Sequence, residues 1–389
     1  MYRISRFQEF MKGLPRGVFD RIVARHQGDK YSKKLRCWDQ LLAMVYGQLS
    51  GADSLRQLET GFNSHLAHHY HLGTGCVRRS TLADANSKRH SAVFADTAEW
   101  LMRQGTRQLR REAGELLYLL DSTSITLKGP GFDAWTREHR TRTTQGLKLH
   151  VLLAAQMPQW SALSAANVND VEKTPEVPLH AGGIYVFDKG YCDYNWWHRI
   201  DAAGARFVTR FKRNAGLQTW QTLPIPAAAQ AVVLQDRLVR FKHKRPGGGR
   251  INRYEQPLRC LTIARPGKAT PLVLATNDVR SPALEIARHY QDRWQIELFF
   301  KWIKQHLKIK RFLGRDQNAV RIQILTALIS YLLVGLYKQA HRLQHSLWEC
   351  LCLIRATLFQ RPTIEESRYR KRRRQTEYLN SIQPQLFAS

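Results

Sequence analysis

The sequence predicts an α/β protein in which a helical N-terminal region precedes a strand-and-helix core that a β-rich segment interrupts. Three observations predict it. Up to about residue 110 the apolar residues come in helix-like runs separated by polar punctuation. From Glu115 the period changes: Leu116–Leu120 is a continuous apolar run that ends in Asp121 and then alternates, and Gly183–Phe187 repeats the plan and ends in Asp188. Between Asn214 and about Asn277 the pattern becomes short β-type runs divided by proline and glycine.

Within residues 1–110, Trp38–Leu49 reads as a short apolar helix. A second helix opens after Gly51, with Asp53 or Ser54 as N-cap; Ser54 with Gln57 fits a capping box. The segment Ser64–His71 holds four histidines, which suits either a metal or a solvated helix end; the nearby Cys76 stands alone, which favours the helix end. In Arg78–Arg89, Ser80 or Thr81 is the expected cap of a short helix with cations at both ends. Two helices and a turn with this charge resemble a helix-turn-helix reader of DNA, although such patterns also arise by chance.

The core is expected in two parts, 111–213 and 279–340. Gly146–Ala155 is its second strand and carries Lys148 and His150; Asp193–Ala203 is a helix; Ala205–Lys212 is a strand ending in the basic Arg210 and Lys212. Asp121 and Asp188 each stand where a strand leaves the sheet, the position at which ligands collect in open α/β sheets. The β-rich insertion, 214–278, contains runs at Val232–Leu234, Leu238–Lys242, Leu258–Ala264 and Pro271–Thr276. Lys242, Lys244, Arg245 and Arg250 surround the turn Pro246–Gly249, either as DNA contacts or as a soluble hairpin tip. The apolar run Ile324–Tyr337 is about 14 residues long and contains Thr326 and Ser330. It falls short of the ~20 residues a membrane span needs and reads as a core helix. The segment 341–389 is expected as a basic helical tail whose Arg368–Arg374 block either stays flexible until it meets phosphates or is simply a solvated terminus.

The 389 residues include 61 Lys and Arg against 31 Asp and Glu, a formal charge of +30. That balance suits a polyanion, nucleic acid first, and predicts steeply salt-dependent binding; an anionic membrane surface or plain solubility are the other readings. With 43% hydrophobic residues the chain has ample core material and is no disordered basic tail. The N-terminus lacks an uninterrupted apolar stretch of signal-peptide type. The six cysteines form no Cys-x-x-Cys pair, which points to a reduced, cytoplasmic protein. There is no Walker P-loop and no Gly-x-Ser-x-Gly, so neither a nucleotide cofactor nor a serine nucleophile is indicated.

The stretch Tyr290–Lys304 is read as one helix. At ~100° per residue, Tyr290, Arg293, Glu297 and Lys304 fall within an arc of roughly 60°. This arc borders an apolar face of Ile296, Phe299, Phe300, Ile303 and Leu307. Spacing alone is equally met by a salt-bridged amphipathic helix. Asp121, Asp188 and Glu297 together supply three carboxylates from distant parts of the chain. That set suits two hard divalent cations such as Mg²⁺, ~3.5–4 Å apart, with substrate phosphate and water completing the shells.

These residues carry a resemblance. Leu119–Ser124 around Asp121, Val186–Tyr191 around Asp188, and Tyr290-x2-Arg293-x3-Glu297-x6-Lys304 resemble the three parts of the DDE motif in bacterial insertion-sequence transposases of the IS-four family, to which the Tn-five transposase belongs. The last element matches that family's Y-R-E-K signature in every spacing, and the likeness spans roughly Leu116 to Lys310. It implies an RNase H-like catalytic core with a β-rich insertion, acting on double-stranded DNA in the bacterial cytoplasm, at the nucleoid, as a homodimer on paired ends. It further implies cut-and-paste transposition with two Mg²⁺ or Mn²⁺ ions. The element's end is nicked, the freed 3′-hydroxyl forms a hairpin, and the reopened end joins target DNA. By the resemblance Asp121, Asp188 and Glu297 are metal ligands, and Tyr290, Arg293 and Lys304 hold phosphates or the distorted end nucleotide. Lys189, Lys148, Arg210 and Lys212, with His150, are further candidate backbone contacts near the sheet edge. The rival readings are a transposase-derived DNA-binding protein that no longer cuts, and a metal-dependent nuclease without joining activity.

Overall fold

A computed structural model describes residues 5–112, 115–246, 250–265 and 267–360. The chain forms two compact units, one of residues up to Val93 together with those from Leu333 onward, the other of Phe94–Leu332. The first unit thus ends at Val93 where a boundary near residue 110 was expected, and residues 341–360 belong to that unit.

In the first unit, helices α1 (Arg6–Met11), α2 (Arg16–Arg25), α3 (Cys37–Ser50), α4 (Leu55–Asn63), α5 (His69–Leu72) and α6 (Arg79–Lys88) are built around α3, which is buried over most of its surface. Helix α3 begins where the Asp29 carboxylate accepts from the Cys37 N–H at 2.7 Å, and it ends at Gly51 in the left-handed region (φ 74°). Ser54 caps α4 through the Gln57 N–H at 3.1 Å, while the Gln57 side chain accepts from Asp53 rather than from Ser54, so the expected box closes one residue early. Ser80 and Thr81 do not cap α6; they lie in its first turn and are exposed, and Arg78 holds the cap position. His69, expected in a solvated helix end, is buried with its ring nitrogens against the carbonyls of Phe62 and Gly75, at 3.0 and 3.1 Å. A C-terminal helix, Leu347–Thr357, capped by Ser346 and Glu349, closes this unit. Phe7 N–H donates to Leu358 O (2.7 Å) and Arg355 Nε to Leu49 O (2.6 Å). The Arg368–Arg374 block lies outside the described residues.

The second unit opens with α7 (Ala92–Glu112) and contains one nine-stranded sheet. Strands β1 (Leu117–Thr126), β2 (Gly146–Ala154) and β3 (Met157–Ala165) form an antiparallel meander. Between β1 and β2 lies the short α8 (Asp133–Thr136). On the other side of β1 run β4 (Ile184–Phe187), helix α9 (Tyr194–Ala202) and β5 (Arg206–Arg210), with β1, β4 and β5 parallel. The strand order is β3-β2-β1-β4-β5, and it continues as β9 (Lys268–Thr276), β8 (Leu258–Arg265), β7 (Val233–Phe241) and β6 (Leu217–Thr222). The insertion thus extends the core sheet, because β9 pairs antiparallel with β5. Its two expected runs at 232–234 and 238–242 are one strand, β7, bulged between Val233 and Gln235. Asp236, the residue that breaks their apolar pattern, is buried against Arg259 of β8.

Tyr290–Lys304 is divided between α10 (Ala283–Asp292) and α11 (Trp294–His306), which meet at Arg293. There the backbone tightens to three-residue hydrogen bonds, Arg293 N–H to Tyr290 O and Ile296 N–H to Arg293 O. Helix α12 (Gln317–Ala340) is longer than its apolar run suggested. It is long and apolar enough to cross a membrane, yet 89% of its most apolar window is buried inside the protein, as in a core helix.

Candidate active site

The parallel ladder between β1 and β4 ends at the rung Leu120–Phe187. The next residue on each strand is an aspartate. Strand β4 stops there and Asp188 leads into a one-turn 3-10 helix, Lys189–Tyr191. Strand β1 runs on, with Asp121 paired to Val151 of β2. Asp121 is therefore in the middle of its strand, not at its end as expected, because β2 keeps pairing after β4 has left. The ladder's end nonetheless brings the two carboxylates side by side.

Helix α11 packs on β1 and adds Glu297. Arg293 ties the elements together: Nη1 donates to Asp121 Oδ2 at 3.0 Å and Nη2 to Glu297 Oε1 at 2.6 Å. Arg210, at the end of β5, donates to Asp188. Lys304 Nζ donates to the Ser124 carbonyl at 3.0 Å, which fixes the far end of α11 on β1, and the Tyr290 ring lies 5.9 Å from the Arg293 guanidinium. The fold thus brings Asp121, Asp188, Glu297, Tyr290, Arg293 and Arg210 to one place, with Lys304 two turns further along α11 over Ser124 of β1. Lys189 and Lys212 are exposed close by in sequence. Lys148 is mostly withdrawn from solvent and turned onto Val168 O (2.8 Å) and the Asp170 carboxylate (3.0 Å), and His150 is fully buried. Both are thereby corrected from backbone-phosphate contacts to internal polar partners. Sequence reading missed Asp170, whose surroundings carry no signal beyond polar turn residues.

Burial dominates the electrostatics. It pushes the Asp121 carboxyl up to about 6; the Ser122 N–H and Arg293 oppose this, and the neighbouring Asp188 and Glu297 add to it. Burial also works against ionisation of Asp188, but the Arg210 guanidinium outweighs it and holds that carboxyl below its usual value. The Lys304 ammonium is lowered by burial and then by Lys310.

The donor set is carboxylate oxygen alone, the chemistry that hard divalent cations require. As the side chains stand, no three acidic, histidine or cysteine groups among the described residues close on one ion. The Arg293 guanidinium lies between Asp121 and Glu297 and already serves as their shared cation. The Nε atoms of Arg293 and Arg210 are buried without a hydrogen-bond acceptor, so neither fork is fully used where it is. The residues fit a cation site once the arginines release their carboxylates.

Residues 112–333, which contain all three carboxylates, match the family described as the transposase DDE domain. The chain belongs to the DDE transposase family. A transposase of this family is an enzyme of DNA cleavage and strand transfer and uses divalent metal ions. Residues 3–75 of the transposase match a domain of unknown function, DUF4372. It is 40% identical to a putative transposase, y4zB, of Sinorhizobium fredii, over 73% of this chain and 78% of that one. It is 26% identical to a putative transposase for insertion sequence element IS4SA of Synechocystis sp., over 66% and 71%. It is also 29% identical to a probable transposase for insertion sequence element IS5377 of Geobacillus stearothermophilus, over 62% and 61%.

Proposed function

We propose that the transposase mobilises a bacterial insertion sequence by cut-and-paste, nicking the element's end, forming and reopening a hairpin, and joining the end to target DNA, from the site of Asp121, Asp188 and Glu297. The observation that carries the reading is the pair of aspartates on adjacent strands one residue past the last parallel rung, faced by Glu297 of α11. The order β3-β2-β1-β4-β5 supports an RNase H-like core. The spacing Tyr290, Arg293, Glu297, Lys304 supports membership of the IS-four group.

Asp121, Asp188 and Glu297 would hold two Mg²⁺ or Mn²⁺ ions, which when bound supply acidification of a water or 3′-hydroxyl and charge stabilisation at the departing oxygen. The chain's own residues do the rest. Arg293 and Arg210 neutralise the carboxylates before DNA arrives and, with unused Nε–H groups, present planar forks to phosphate once released. Tyr290 offers a stacking face beside Arg293, and the exposed Lys189 and Lys212 supply point charges for the backbone.

For recognition of the ends we assign α6. Its Arg79, Ser80, Thr81, Asp84 and Lys88 are exposed. One flanking groove is lined by Ser54, Leu55 and Arg56 with Arg79 and Ser80. The other is lined by the loop Lys30–Lys34, where Tyr31 is 89% exposed. A projecting polar helix with cations on both sides suits a major groove and its two phosphate backbones. The enzyme would act on nucleoid DNA in the bacterial cytoplasm, as a homodimer that pairs two ends.

The test is a Mg²⁺-dependent cleavage and strand-transfer assay on duplexes carrying the native flanking DNA. Metal-dependent nicks, hairpins and joined products from the wild type, all missing from Glu297→Gln, support the reading. Cleavage without joining would leave a nuclease, and end binding without cleavage a DNA-binding protein.

A further inference from the structure

Behind the two aspartates lies a set of polar side chains, some fully buried and some partly so, that the chemistry above does not use. Asp170 Oδ1 accepts from Ser122 Oγ at 3.1 Å and from Lys148 Nζ at 3.0 Å. The same carboxylate packs on Gly190, where an added Cβ would come within 3.1 Å of Oδ2. Tyr191, fully buried, places its hydroxyl 2.9 Å from His150 Nδ1, and His150 Nε2 lies 2.9 Å from Ser164 Oγ. Ser164 gives its own proton to the Ala165 carbonyl at 3.1 Å, so its oxygen accepts from His150 Nε2–H, and His150 Nδ1 then accepts from the Tyr191 hydroxyl. That is a neutral imidazole with both nitrogens satisfied.

The network touches the chain next to each aspartate: Ser122 follows Asp121, and Gly190 and Tyr191 belong to the turn that begins at Asp188. After β4 ends, no ladder holds that turn. Beyond the Arg210 bond to Asp188, its anchors include Tyr191 to β2 and Gly190 against Asp170, and Asp170 also grips β1 through Ser122. Lys148 cancels the charge of Asp170, so a fourth carboxylate beside the site adds little repulsion to the other three.

We infer that Asp170, His150 and Tyr191 are positioning residues that set the separation of Asp121 and Asp188 and so tune cation binding at the site. This rests on the function proposed above. Groups that hold metal-ligating side chains typically change metal affinity by about 10- to 100-fold when removed, without touching the ion.

The experiment measures Mn²⁺ binding by electron paramagnetic resonance to the complex with end duplexes whose scissile linkage cannot be cleaved, the state in which the arginines release their carboxylates, beside melting temperature and end-DNA affinity, for wild type, Tyr191→Phe, Asp170→Asn, Asp170→Asn/Lys148→Met and Asp121→Asn. The double variant guards against a fold weakened by leaving Lys148 unpaired. The expected result is that Tyr191→Phe and the double variant fold and bind end DNA like wild type, bind Mn²⁺ about tenfold more weakly, and recover cleavage at raised Mn²⁺. Wild-type Mn²⁺ affinity in both, with Asp121→Asn clearly impaired, would reduce the network to core packing and overturn the inference alone. Unchanged Mn²⁺ binding in Asp121→Asn would sink the proposed site itself, and the inference with it.

Discussion

Arg259 and Arg293 both hold carboxylates inside the second unit, and they do so in opposite ways. Arg259, in the insertion end of the sheet, meets Asp236 with two parallel bonds, Nε to Oδ1 at 2.9 Å and Nη2 to Oδ2 at 2.6 Å, and gives Nη1 to the Ser281 carbonyl at 2.6 Å. Both side chains are nearly inaccessible, at 7% and 2% exposure. Arg293 divides its fork between Asp121 and Glu297, which belong to different elements, and leaves Nε without an acceptor. A complete bidentate pair welds β7 to β8 and has nothing left to exchange. A divided, incomplete one is a provisional arrangement that another cation and another anion can replace.

The contrast can be broken by experiment. Glu297→Gln should remove cleavage to below detection while end-DNA affinity and melting temperature stay near wild type, read by gel assay and calorimetry; equal loss of folding would make Glu297 structural instead. Arg259→Met should destabilise by about 3–5 kcal/mol, because it strands the buried Asp236 carboxylate, yet leave Mn²⁺ binding per folded molecule unchanged in denaturation and binding measurements. A smaller effect separates the acids by sign. Asp121 has its carboxyl raised from 3.8 to about 6, so the folded state holds a proton that the unfolded chain has lost, and stability falls as pH rises from about 4 to 6. Asp278 is lowered from 3.8 to about 2: burial opposes it, but the Ser281 N–H and hydroxyl and Arg206 prevail. Its contribution of about 2 kcal/mol is present above pH 4 and lost as pH falls through 2. Melting curves across pH should therefore show Asp121→Asn relatively more stable at pH 8 than at pH 4, and Asp278→Asn less stable at pH 7 but not at pH 2. Smallest in stability, Arg293→Ala should cost the metal-free fold less than Arg259→Met, because Asp121 and Glu297 keep 20% and 34% of their side-chain surface in contact with water, while weakening end-DNA binding or hairpin yield; an unchanged hairpin yield would remove its phosphate role.

What the sequence let one read follows from how each feature is held. Asp121, Asp188 and Glu297 were legible because two end apolar runs and one lies on a strongly patterned helix. Strand β3 was not, since it is reached through Ala155 and Gln156, both at positive φ, in a two-residue turn that lacks the usual Asn or Gly signal. Strand β6 is exposed from Gln218 to Thr222, with Leu217 and Trp220 three residues apart, so it has no apolar alternation to find. The roles of Lys148 and Arg210 were hidden for another reason: a cation reads as a phosphate contact until its acid partner, here Asp170 or Asp188, is brought to it by pairings far apart in sequence.

The pairing of β9 with β5 has one more consequence. Strand β5 carries Arg210 and would become the rim of the sheet if residues 214–278 were excised and the gap bridged by a short linker. Its Val208 and Arg210 now face Thr276 and Leu274 across the ladder, and a bare rim of that kind invites strands from other molecules. The insertion is open to replacement by another hairpin that seals the same side, but not to removal, and shortened forms of this chain should clump through β5 before they lose the outline of the core.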